Sequence, residues 1–420
     1  MNNNRIYIIG GGLSGLSAAI SLAQAVNADI TILEQGSDYN ARIESTNPDH
    51  LCGLGGAGTI GGGKLCFPPA SGKIWRKTQY SLPEFSSFKE QFFTDPMLAA
   101  PSSPLPLIRT EGRSLSWKRY DSTVLFKDTM NKWVSDLISL AVALGVNIRC
   151  GCTYLKHVNE KQGINVFFRN EDSCIEMQNT SYLLFATGRS SARMLNTVFA
   201  PSVAPMPDLG IRLSLDRKQE YAFSAIGRDI KLKSTIGDYS LRTFCVCSGG
   251  DSTMVTKGPY RYFDGHFAEN DTGVVNLGIL ARSGKLSGFS AADDFLAAMQ
   301  KYVHADMSLK DFLRHKDTLA RHSQYEPLFD AIAQFVEQLV AAGFITQNAD
   351  EIPVMIPSVD RLNSYIVTDR NFQTLQPGVF VIGDASGISR GFVQAMWSGH
   401  CAAESIKRRM LLERENRRAM

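Results

Sequence analysis

The stretch RIYIIGGGLSGLSAAISLAQAVNADITILE, residues 5–34, decides the fold. It opens with a short apolar, β-branched run, passes through a Gly-x-Gly-x-x-Gly pattern, and continues with apolar residues at helical spacing. A second β-branched run follows and ends at a carboxylate, Glu34. This order of strand, glycine turn, helix and strand predicts the β-α-β unit of a dinucleotide-binding Rossmann fold.

The three glycines of the pattern have separate expected roles. Gly10 permits a tight turn, Gly12 lets the backbone approach a pyrophosphate, and Gly15 lets helix and strand pack closely. Glu34 stands where a carboxylate accepts hydrogen bonds from both ribose hydroxyls, which does not separate FAD from NAD. The alternative is a glycine-rich turn without a ligand. The residues expected to contact a dinucleotide here are Gly10, Gly12, Leu13, Ser14, Gly15, Glu34, Gln35 and Arg42.

A second glycine-rich stretch, CGLGGAGTIGGGKL at residues 52–65, matches two nucleotide-binding patterns and lacks the structural context of either. No predicted strand precedes Gly53, as a dinucleotide fingerprint requires. Leu65 stands where a phosphate-binding P-loop needs Ser or Thr after its lysine. We expect a flexible loop that brings backbone N–H groups against a ligand.

Part of this loop, GGAGTIGGGKL at residues 55–65, resembles the GGAGT-x-x-x-GKL signature of a large, mostly uncharacterised family of FAD-dependent dehydrogenases within the glutathione-reductase-like superfamily. Gly61 and Gly62 replace the Ser-Asp of that signature. The resemblance implies a loop that runs along the pyrophosphate and the flavin ring, with Lys64 also a catalytic candidate; a solvated loop lysine is the alternative. The implied cofactor contacts are Gly56, Ala57, Gly58, Thr59, Gly63 and Lys64.

Two later segments fit the same superfamily. Helical spacing at 123–144 is followed by a predicted β-meander and by SYLLFATG, where the resemblance implies that Ala186, Thr187 and Gly188 lie beside FAD. The resemblance also implies that the backbone near Leu155 lies against the adenine.

The segment GVFVIGDASGISRGFVQ, at residues 378–394, predicts a strand that ends in Gly-Asp and a helix that begins near Gly391. It resembles the second FAD signature of the superfamily, in which the aspartate holds a ribityl hydroxyl and the helix N-terminus meets the flavin pyrimidine. The implied contacts are Gly383, Asp384, Gly391, Phe392 and Val393. The three cofactor signatures at residues 10–34, 183–188 and 378–393, in this order, favour FAD over NAD.

Catalytic candidates beyond Lys64 are two cysteines and an arginine. TFCVCSGG, at residues 243–250, resembles a TFCxCxGG element of the same family, and Cys245 and Cys247 share one face of a predicted strand. Ideal strand geometry holds their α-carbons about 6.5–7 Å apart, so a disulfide between them would be strained. The alternative is a pair of small buried hydrophobes. Arg390 is a candidate for an anionic substrate or the flavin, and a surface arginine is equally compatible.

The amino-acid composition limits the classes of partner and ligand that the chain is expected to bind. Forty-four basic and 41 acidic residues leave a net charge of +3, which gives no support for nucleic acid or an anionic membrane as a partner. Eight cysteines without a CxxC pair, with scattered histidines, predict reduced thiols and no metal site. The apolar run at 137–146 is too short to span a bilayer, and the N-terminus lacks a signal pattern. We expect a soluble, cytoplasmic protein, with its oligomeric state open.

The sequence therefore predicts an α/β fold in which a Rossmann-like, glutathione-reductase-like FAD-binding domain carries an inserted α+β substrate domain. We expect residues 1–67, 119–204 and 351–420 in the first domain, and residues 68–118 and 205–350 in the second, with a sheet over the flavin. The predicted function is an FAD-dependent oxidoreductase that transfers a hydride to or from a small organic substrate. NAD(P)H is a candidate transient reductant, since there is no second Rossmann fingerprint. The alternatives are a flavin-dependent monooxygenase and an FAD-binding RNA-modifying or interaction protein.

Overall fold

The chain divides into two units in the computed structural model, which describes residues 4–46, 49, 51–60, 63–93, 115–118, 122–199, 202–219, 231–266, 272–316, 319, 323–361 and 364–419. The first unit takes residues 1–99, 123–203 and 363–420, and the second takes 100–122 and 204–362. In chain order the helices and strands are β1 Arg5–Ile9, α1 Leu13–Ala25, β2 Asp29–Leu33, α2 Tyr39–Glu44, β3 Gly63–Cys66, α3 Lys73–Thr78, α4 Leu82–Phe92, β4 Ser116–Lys118, β5 Ser122–Leu125, α5 Lys127–Ala143, β6 Asn147–Arg149, β7 Thr153–Glu160, β8 Gly163–Arg169, β9 Ile175–Thr180, β10 Tyr182–Phe185, α6 Ala192–Val198, β11 Ser202–Val203, β12 Asp208–Asp216, β13 Lys231–Ile236, β14 Tyr239–Ser248, β15 Asp251–Lys257, β16 Tyr260–His266, β17 Val274–Arg282, α7 Ala291–Met299, α8 Leu309–His315, α9 Glu326–Ala341, β18 Val354–Asp360, β19 Tyr365–Ile366, β20 Val379–Val381 and α10 Phe392–Ala419.

Five parallel strands form the central sheet of the first unit, in the order β20-β10-β1-β2-β6. The central strand β1 pairs Ile6 with Ile30 of β2 on one side and with Tyr182 of β10 on the other. Its apolar residues are buried on both faces, as expected of a parallel sheet covered by helices. The predicted β-α-β unit at residues 5–34 is confirmed, and so is the Rossmann-like α/β fold.

The last helix, α10, packs along α1. The two backbones approach closely at Gly399, where an added β-carbon would lie only 2.3 Å from the carbonyl oxygen of Ser14. Ser17 adds a hydrogen bond from its hydroxyl to the carbonyl of Met396, at 2.8 Å. These contacts fix the N-terminus of α10 beside that of α1. The antiparallel meander β7-β8-β9 precedes β10, as the sequence predicted.

Helices α3 and α4 belong to the first unit, so residues 73–92 of the expected substrate segment 68–118 lie there instead, while β4 of the same segment lies in the second unit. The reason is an aromatic cluster: the rings of Phe88 and Trp397 lie 5.1 Å apart, and those of Trp75 and Phe85 lie 5.3 Å apart. These side chains join the same apolar core as α1 and α10. Aromatic residues in a Pro- and Ser-rich segment therefore built core rather than a substrate surface.

An antiparallel sheet of six strands, in the order β18-β12-β17-β14-β13-β4, dominates the second unit. Leu209, Ile211 and Leu213 alternate along β12 and share an apolar core with helices α7, α8 and α9. Residues 354–360 pair with β12 as the edge strand β18, so this part of 351–420 lies in the second unit, contrary to expectation. No helix within the described ranges is long and apolar enough to cross a membrane.

Candidate cofactor site

The first glycine loop joins β1 to α1 and leaves no room for a side chain at Gly10 or Gly15. Gly10 adopts a φ of +107°, and an added β-carbon would lie 2.5 Å from the carbonyl oxygen of Ala186. An added β-carbon on Gly15 would lie 2.2 Å from the carbonyl oxygen of Gly10. Only glycine fits either position, because such approaches are far inside van der Waals contact.

Helix α1 starts inside this loop with its first backbone N–H groups uncapped by a side chain in the described structure. Gly12 is the N-cap residue and carries no side chain, and the first turn holds no acidic residue. The first intrahelical bond runs from the Leu16 N–H to the Gly12 carbonyl, at 2.9 Å. A helix N-terminus without a side-chain cap offers backbone N–H groups and a partial positive charge to an anion.

The second glycine loop packs directly on the first. The Gly55 N–H donates to the carbonyl of Gly11 at 2.9 Å, and Gly12 and Gly55 form a parallel bridge. An added β-carbon on Gly56 would lie 2.8 Å from the α-carbon of Gly12. The loop that failed both nucleotide-binding patterns therefore contacts the fingerprint loop, backbone to backbone.

Arg42 supports the second loop from beneath. Its side chain is buried, and its guanidinium donates to the carbonyls of Gly53 at 3.2 Å, Leu54 at 2.5 Å and Gly56 at 3.2 Å. A further bond reaches the carbonyl of Asp49, at 2.9 Å. Burial lowers the pKa of Arg42, partly offset by Glu34. The sequence expected Arg42 at the cofactor, whereas the structure shows it fixing the loop's carbonyls.

Glu34 ties both loops to the end of β2. One carboxylate oxygen accepts from the Gly11 N–H at 2.8 Å. The other accepts from the N–H groups of Gly36 at 2.9 Å and Gly53 at 3.1 Å. The carboxylate is buried except for a small part of its surface, which faces the cavity described below. Its remaining lone pairs are the acceptors that a ribose hydroxyl would require.

The carboxyl end of β20 supplies a second group of polar residues. Asp384 follows this strand, and its carboxylate lies 3.3 Å from Nε of Arg189 and 3.9 Å from Nε of Arg390. Helix α10 begins at Phe392, and its first turn is closed by a bond from Ala395 to Gly391 at 2.9 Å. A second helix N-terminus therefore lies beside Asp384.

One cavity of about 360 Å³ connects these features. It runs from Glu34 past both glycine loops to Asp384 and the first turn of α10. The lining residues that the sequence predicted as cofactor contacts are Gly10, Gly12, Leu13, Ser14, Glu34, Gln35, Gly56, Ala57, Ala186, Thr187, Gly188, Asp384, Gly391 and Phe392. The lining residues that the sequence did not predict are Ile9, Leu33, Leu51, Cys52, Gly53, Gly55, Cys152, Tyr154, Arg189, Ser191, Met194, Ser389 and Ala395.

The other predicted residues lie behind or outside this lining. Gly63 packs under the ring of Phe392, because an added β-carbon would lie 2.3 Å from it. Thr59 is buried and donates to the Gly56 carbonyl at 2.9 Å. The remaining positions outside the lining are Gly15, Arg42, Gly58, Lys64 in β3, Gly383, Arg390 and Val393.

Leu155 lines a separate cavity, so the expectation that the backbone near it lies against adenine stays a prediction. A β-bulge between Tyr154 and Lys156 interrupts the strand there, and Tyr154 lines both this cavity and the main one. Burial raises the pKa of Tyr154, and it raises that of the nearby Cys152 thiol to about 11. The alternation of side chains along a strand could have predicted these two lining residues, because Cys152 and Tyr154 are two apart in the sequence and share one face.

Comparison with known proteins gives one family profile and several remote structural similarities. A family profile described as an NAD(P)-binding Rossmann-like domain matches residues 8–62. A sequence search of curated proteins finds no match. Solved structures that the comparison matches to this chain include the myxobacterial chondrochloren halogenase, an FAD-dependent halogenase, at 12% identity and TM-score 0.41, over 95% of this chain and 72% of that one. They also include aklavinone-11 hydroxylase in complex with FAD and aklavinone, at 11% identity and TM-score 0.45, over 98% of this chain and 63% of that one.

A third similar structure is a geranylgeranyl bacteriochlorophyll reductase-like protein from Thermoplasma acidophilum, at 12% identity and TM-score 0.42, over 97% of this chain and 79% of that one. The chain thus spans less than two thirds of the hydroxylase and somewhat more of the halogenase and the reductase-like protein. The fold and its glycine loops define a Rossmann-like dinucleotide-binding protein. Among the described residues, no three His, Cys, Asp or Glu side chains group as metal ligands.

Proposed function

We propose that this chain is an FAD-dependent oxidoreductase that transfers a hydride between flavin and a small organic substrate. One observation carries the proposal: a single cavity extends from Glu34 past the uncapped N-terminus of α1 to Asp384 and the N-terminus of α10. NAD requires the first part of this arrangement. The second part consists of Asp384, after β20, and the N-terminus of α10, which are suited to the ribityl chain and the flavin ring.

The residues present fit this cofactor. The cradle between the glycine loops is one that β-carbons at Gly10 or Gly56 would fill or distort. The N–H groups at the start of α1 are suited to the pyrophosphate, and the carboxylate of Glu34 is suited to the ribose hydroxyls. Arg42 binds the carbonyl groups of the second loop and so turns them away from the phosphates. Without these bonds, the phosphates would meet carbonyl acceptors instead of N–H donors.

The end of the cavity near α10 is suited to the reacting ring. Asp384, fixed by Arg189, is placed to accept a hydrogen bond from a ribityl hydroxyl. The dipole of α10 stabilises negative charge at its N-terminus by about 0.3–2 kcal/mol, which favours the reduced cofactor. Bound FAD would supply the hydride acceptor or donor, while the protein orients it and excludes water.

The finer assignment rests on the family signatures. Residues 55–65, 243–250 and 378–394 together support membership of the uncharacterised FAD-dependent dehydrogenases within the glutathione-reductase-like superfamily. The Gly61-Gly62 departure lies outside the described residues. The chain has one Rossmann fingerprint, and the proposal assigns it to FAD. NAD(P)H, as the reductant, would therefore bind transiently rather than at a second Rossmann site.

Anaerobic reduction of the reconstituted holoprotein tests this function. The purified chain is incubated with FAD, freed of excess cofactor, and mixed under nitrogen with NADH, NADPH or a panel of small organic donors. Bleaching of the flavin absorbance by at least one donor is the expected result. A holoprotein that only a chemical reductant bleaches contradicts the dehydrogenase assignment. Oxygen incorporation into a product after readmission of air would identify a monooxygenase instead.

A further inference from the structure

Strand β14 of the second unit carries two cysteines whose sulfur atoms nearly touch. Sγ of Cys245 lies 3.5 Å from Sγ of Cys247. Ideal strand geometry does not bring the side chains of residues i and i+2 so close. Two local distortions do so here: a register shift against β17 between Phe244 and Cys247, and a left-handed φ of +46° at Cys245.

The distortion carries a conformational cost. A residue other than glycine in the left-handed region is strained, and such residues cluster at functional sites. β-Bulges likewise often re-aim a side chain beside a reactive site. At this bulge, the re-aimed side chain is a thiol directed at a second thiol.

Arg212, a fully buried residue of β12, holds the bulge in place. Its Nη2 donates to the carbonyl of Cys245 at 3.0 Å, and its Nε donates to Oδ1 of Asn276 at 2.5 Å. The Cys247 thiol donates to the same Cys245 carbonyl, at 3.4 Å. A buried guanidinium therefore fixes the peptide between the two sulfurs.

The guanidinium also lies close to the inner sulfur. An added β-carbon on Gly265 would lie 2.3 Å from Nη2 of Arg212 and 3.2 Å from Sγ of Cys247, so both groups pack against this one glycine. Neighbouring positive charge favours the thiolate of Cys247, the form that attacks a disulfide sulfur, and the ion pair of Arg212 with Asp264, at 3.7 Å, reduces this effect. Cys245 is half-buried and Cys247 is fully buried. The outer thiol is thus the one that a small reagent reaches first.

We propose that Cys245 and Cys247 form a thiol–disulfide exchange site for low-molecular-weight disulfides, independent of the flavin. The Cys245 thiolate attacks one sulfur of glutathione disulfide, whose S–S bond breaks and releases one glutathione. Cys247 then attacks the Cys245 sulfur of the mixed disulfide and releases the second glutathione. The protein gives up two protons and two electrons, and one glutathione disulfide becomes two glutathione thiols.

The chain contains a matched control with the same spacing. Cys150 and Cys152 also form a C-x-C pair, yet burial raises the pKa of each thiol to about 11. The Cys152 thiol donates to a carboxylate oxygen of Glu171 at 3.4 Å, a negative neighbour that disfavours its ionisation. We expect this pair to stay reduced where Cys245 and Cys247 are oxidised.

Trypsin separates the two pairs for measurement. Cleavage after Arg242 and Lys257 gives peptide 243–257, and cleavage after Arg149 and Lys156 gives peptide 150–156; each contains two cysteines. The full chain is reduced, desalted, equilibrated with mixtures of glutathione and its disulfide, quenched with acid and N-ethylmaleimide, and digested. Mass spectrometry then distinguishes doubly alkylated peptide from an internal disulfide, which lacks two hydrogens and the label.

The expected result is half-oxidation of peptide 243–257 at a glutathione disulfide concentration at least about tenfold lower than peptide 150–156 requires. The difference should disappear in urea, because it depends on the bulge. Cys247→Ser should trap a glutathione adduct on Cys245, whereas Cys245→Ser should trap none. Equal oxidation of both pairs in the native chain, or a stable mixed disulfide without ring closure in the wild type, would overturn the proposal.

Discussion

The two glycine-rich loops share the Gly-x-Gly-x-x-Gly spacing and are supported in different ways. In the first, a strand and a helix flank the loop, and only Gly10 of its three pattern glycines has a positive φ. In the second, Gly53, Gly55, Gly56 and Gly58 all have positive φ values, from +75° to +114°. The first loop is held by its secondary structure, whereas the second depends on the hydrogen bonds of Arg42. Equal spacing therefore does not imply equal construction.

The largest expected effect comes from breaking the first loop. In Gly15→Ala, the new methyl group would lie 2.2 Å from the Gly10 carbonyl oxygen, and helix α1 would have to move off β1. We expect a loss of about 3 kcal/mol in the free energy of unfolding, measured in urea. Gly284→Ala is the matched control, because nothing lies within 4 Å of its added β-carbon. Similar losses in both variants would contradict the packing argument.

Breaking the support of the second loop comes next. Arg42→Met keeps much of the side-chain volume and removes every donor to the loop's carbonyls. We expect a loss of about 2 kcal/mol in unfolding free energy, because buried carbonyls are left unsatisfied. Limited proteolysis should then cleave first within residues 49–58. Unchanged cleavage and unchanged stability would show that the loop holds its own conformation.

A smaller loss is expected where Glu34 joins the two loops. Glu34→Gln keeps the shape of the side chain but replaces one carboxylate oxygen with an NH₂ group. This donor would face the backbone N–H of Gly11, or those of Gly36 and Gly53, where an acceptor is required. We expect a loss of about 1–2 kcal/mol in unfolding free energy without cofactor. Stability curves with and without FAD should diverge less than in the wild type, since the ribose loses its acceptor. Full stabilisation by FAD in this variant would argue against ribose binding at Glu34.

Gly12→Ala sharpens the comparison with the smallest effect on folding. Its added β-carbon would make only an ordinary contact, 3.5 Å from the α-carbon of Gly56, and its φ of −74° suits alanine. We expect a change of less than about 1 kcal/mol in unfolding free energy. The methyl group would nevertheless occupy the cradle and weaken FAD binding by at least about tenfold, measured by fluorescence titration. Equal FAD affinity in Gly12→Ala and Gly284→Ala would contradict the placement of the pyrophosphate.

Local patterns predicted much of the first unit. The β-branched runs at 5–9 and 29–33, the helix at 13–25 and the strand-to-helix turn before α10 appear where periodicity and glycine chemistry indicate them. The predicted helix at 123–144 becomes strand β5 and helix α5, because Phe126 ends the extended segment as the helix N-cap. Short-range signals of this kind depend on neighbours in sequence.

What the sequence did not predict depends on tertiary contacts. Arg42 has no local signal for its bonds to carbonyls eleven to fourteen positions ahead. Arg189 becomes a partner of Asp384 only because β10 and β20 are adjacent in the sheet. The bulges at Tyr154 and Cys245 shift the register of β7 and β14 against their neighbours, which no sequence pattern indicated. Each of these departures concerns a residue at or beside a candidate site.

The central claim is that both glycine loops and the start of α10 hold one FAD molecule. The most direct test is the amount of FAD that acid releases from the wild type, Gly12→Ala and Gly284→Ala after incubation with the cofactor and gel filtration. We predict stoichiometric FAD in the wild type and in Gly284→Ala, and little in Gly12→Ala at nearly unchanged stability. A folded wild-type protein that emerges free of FAD would contradict the claim.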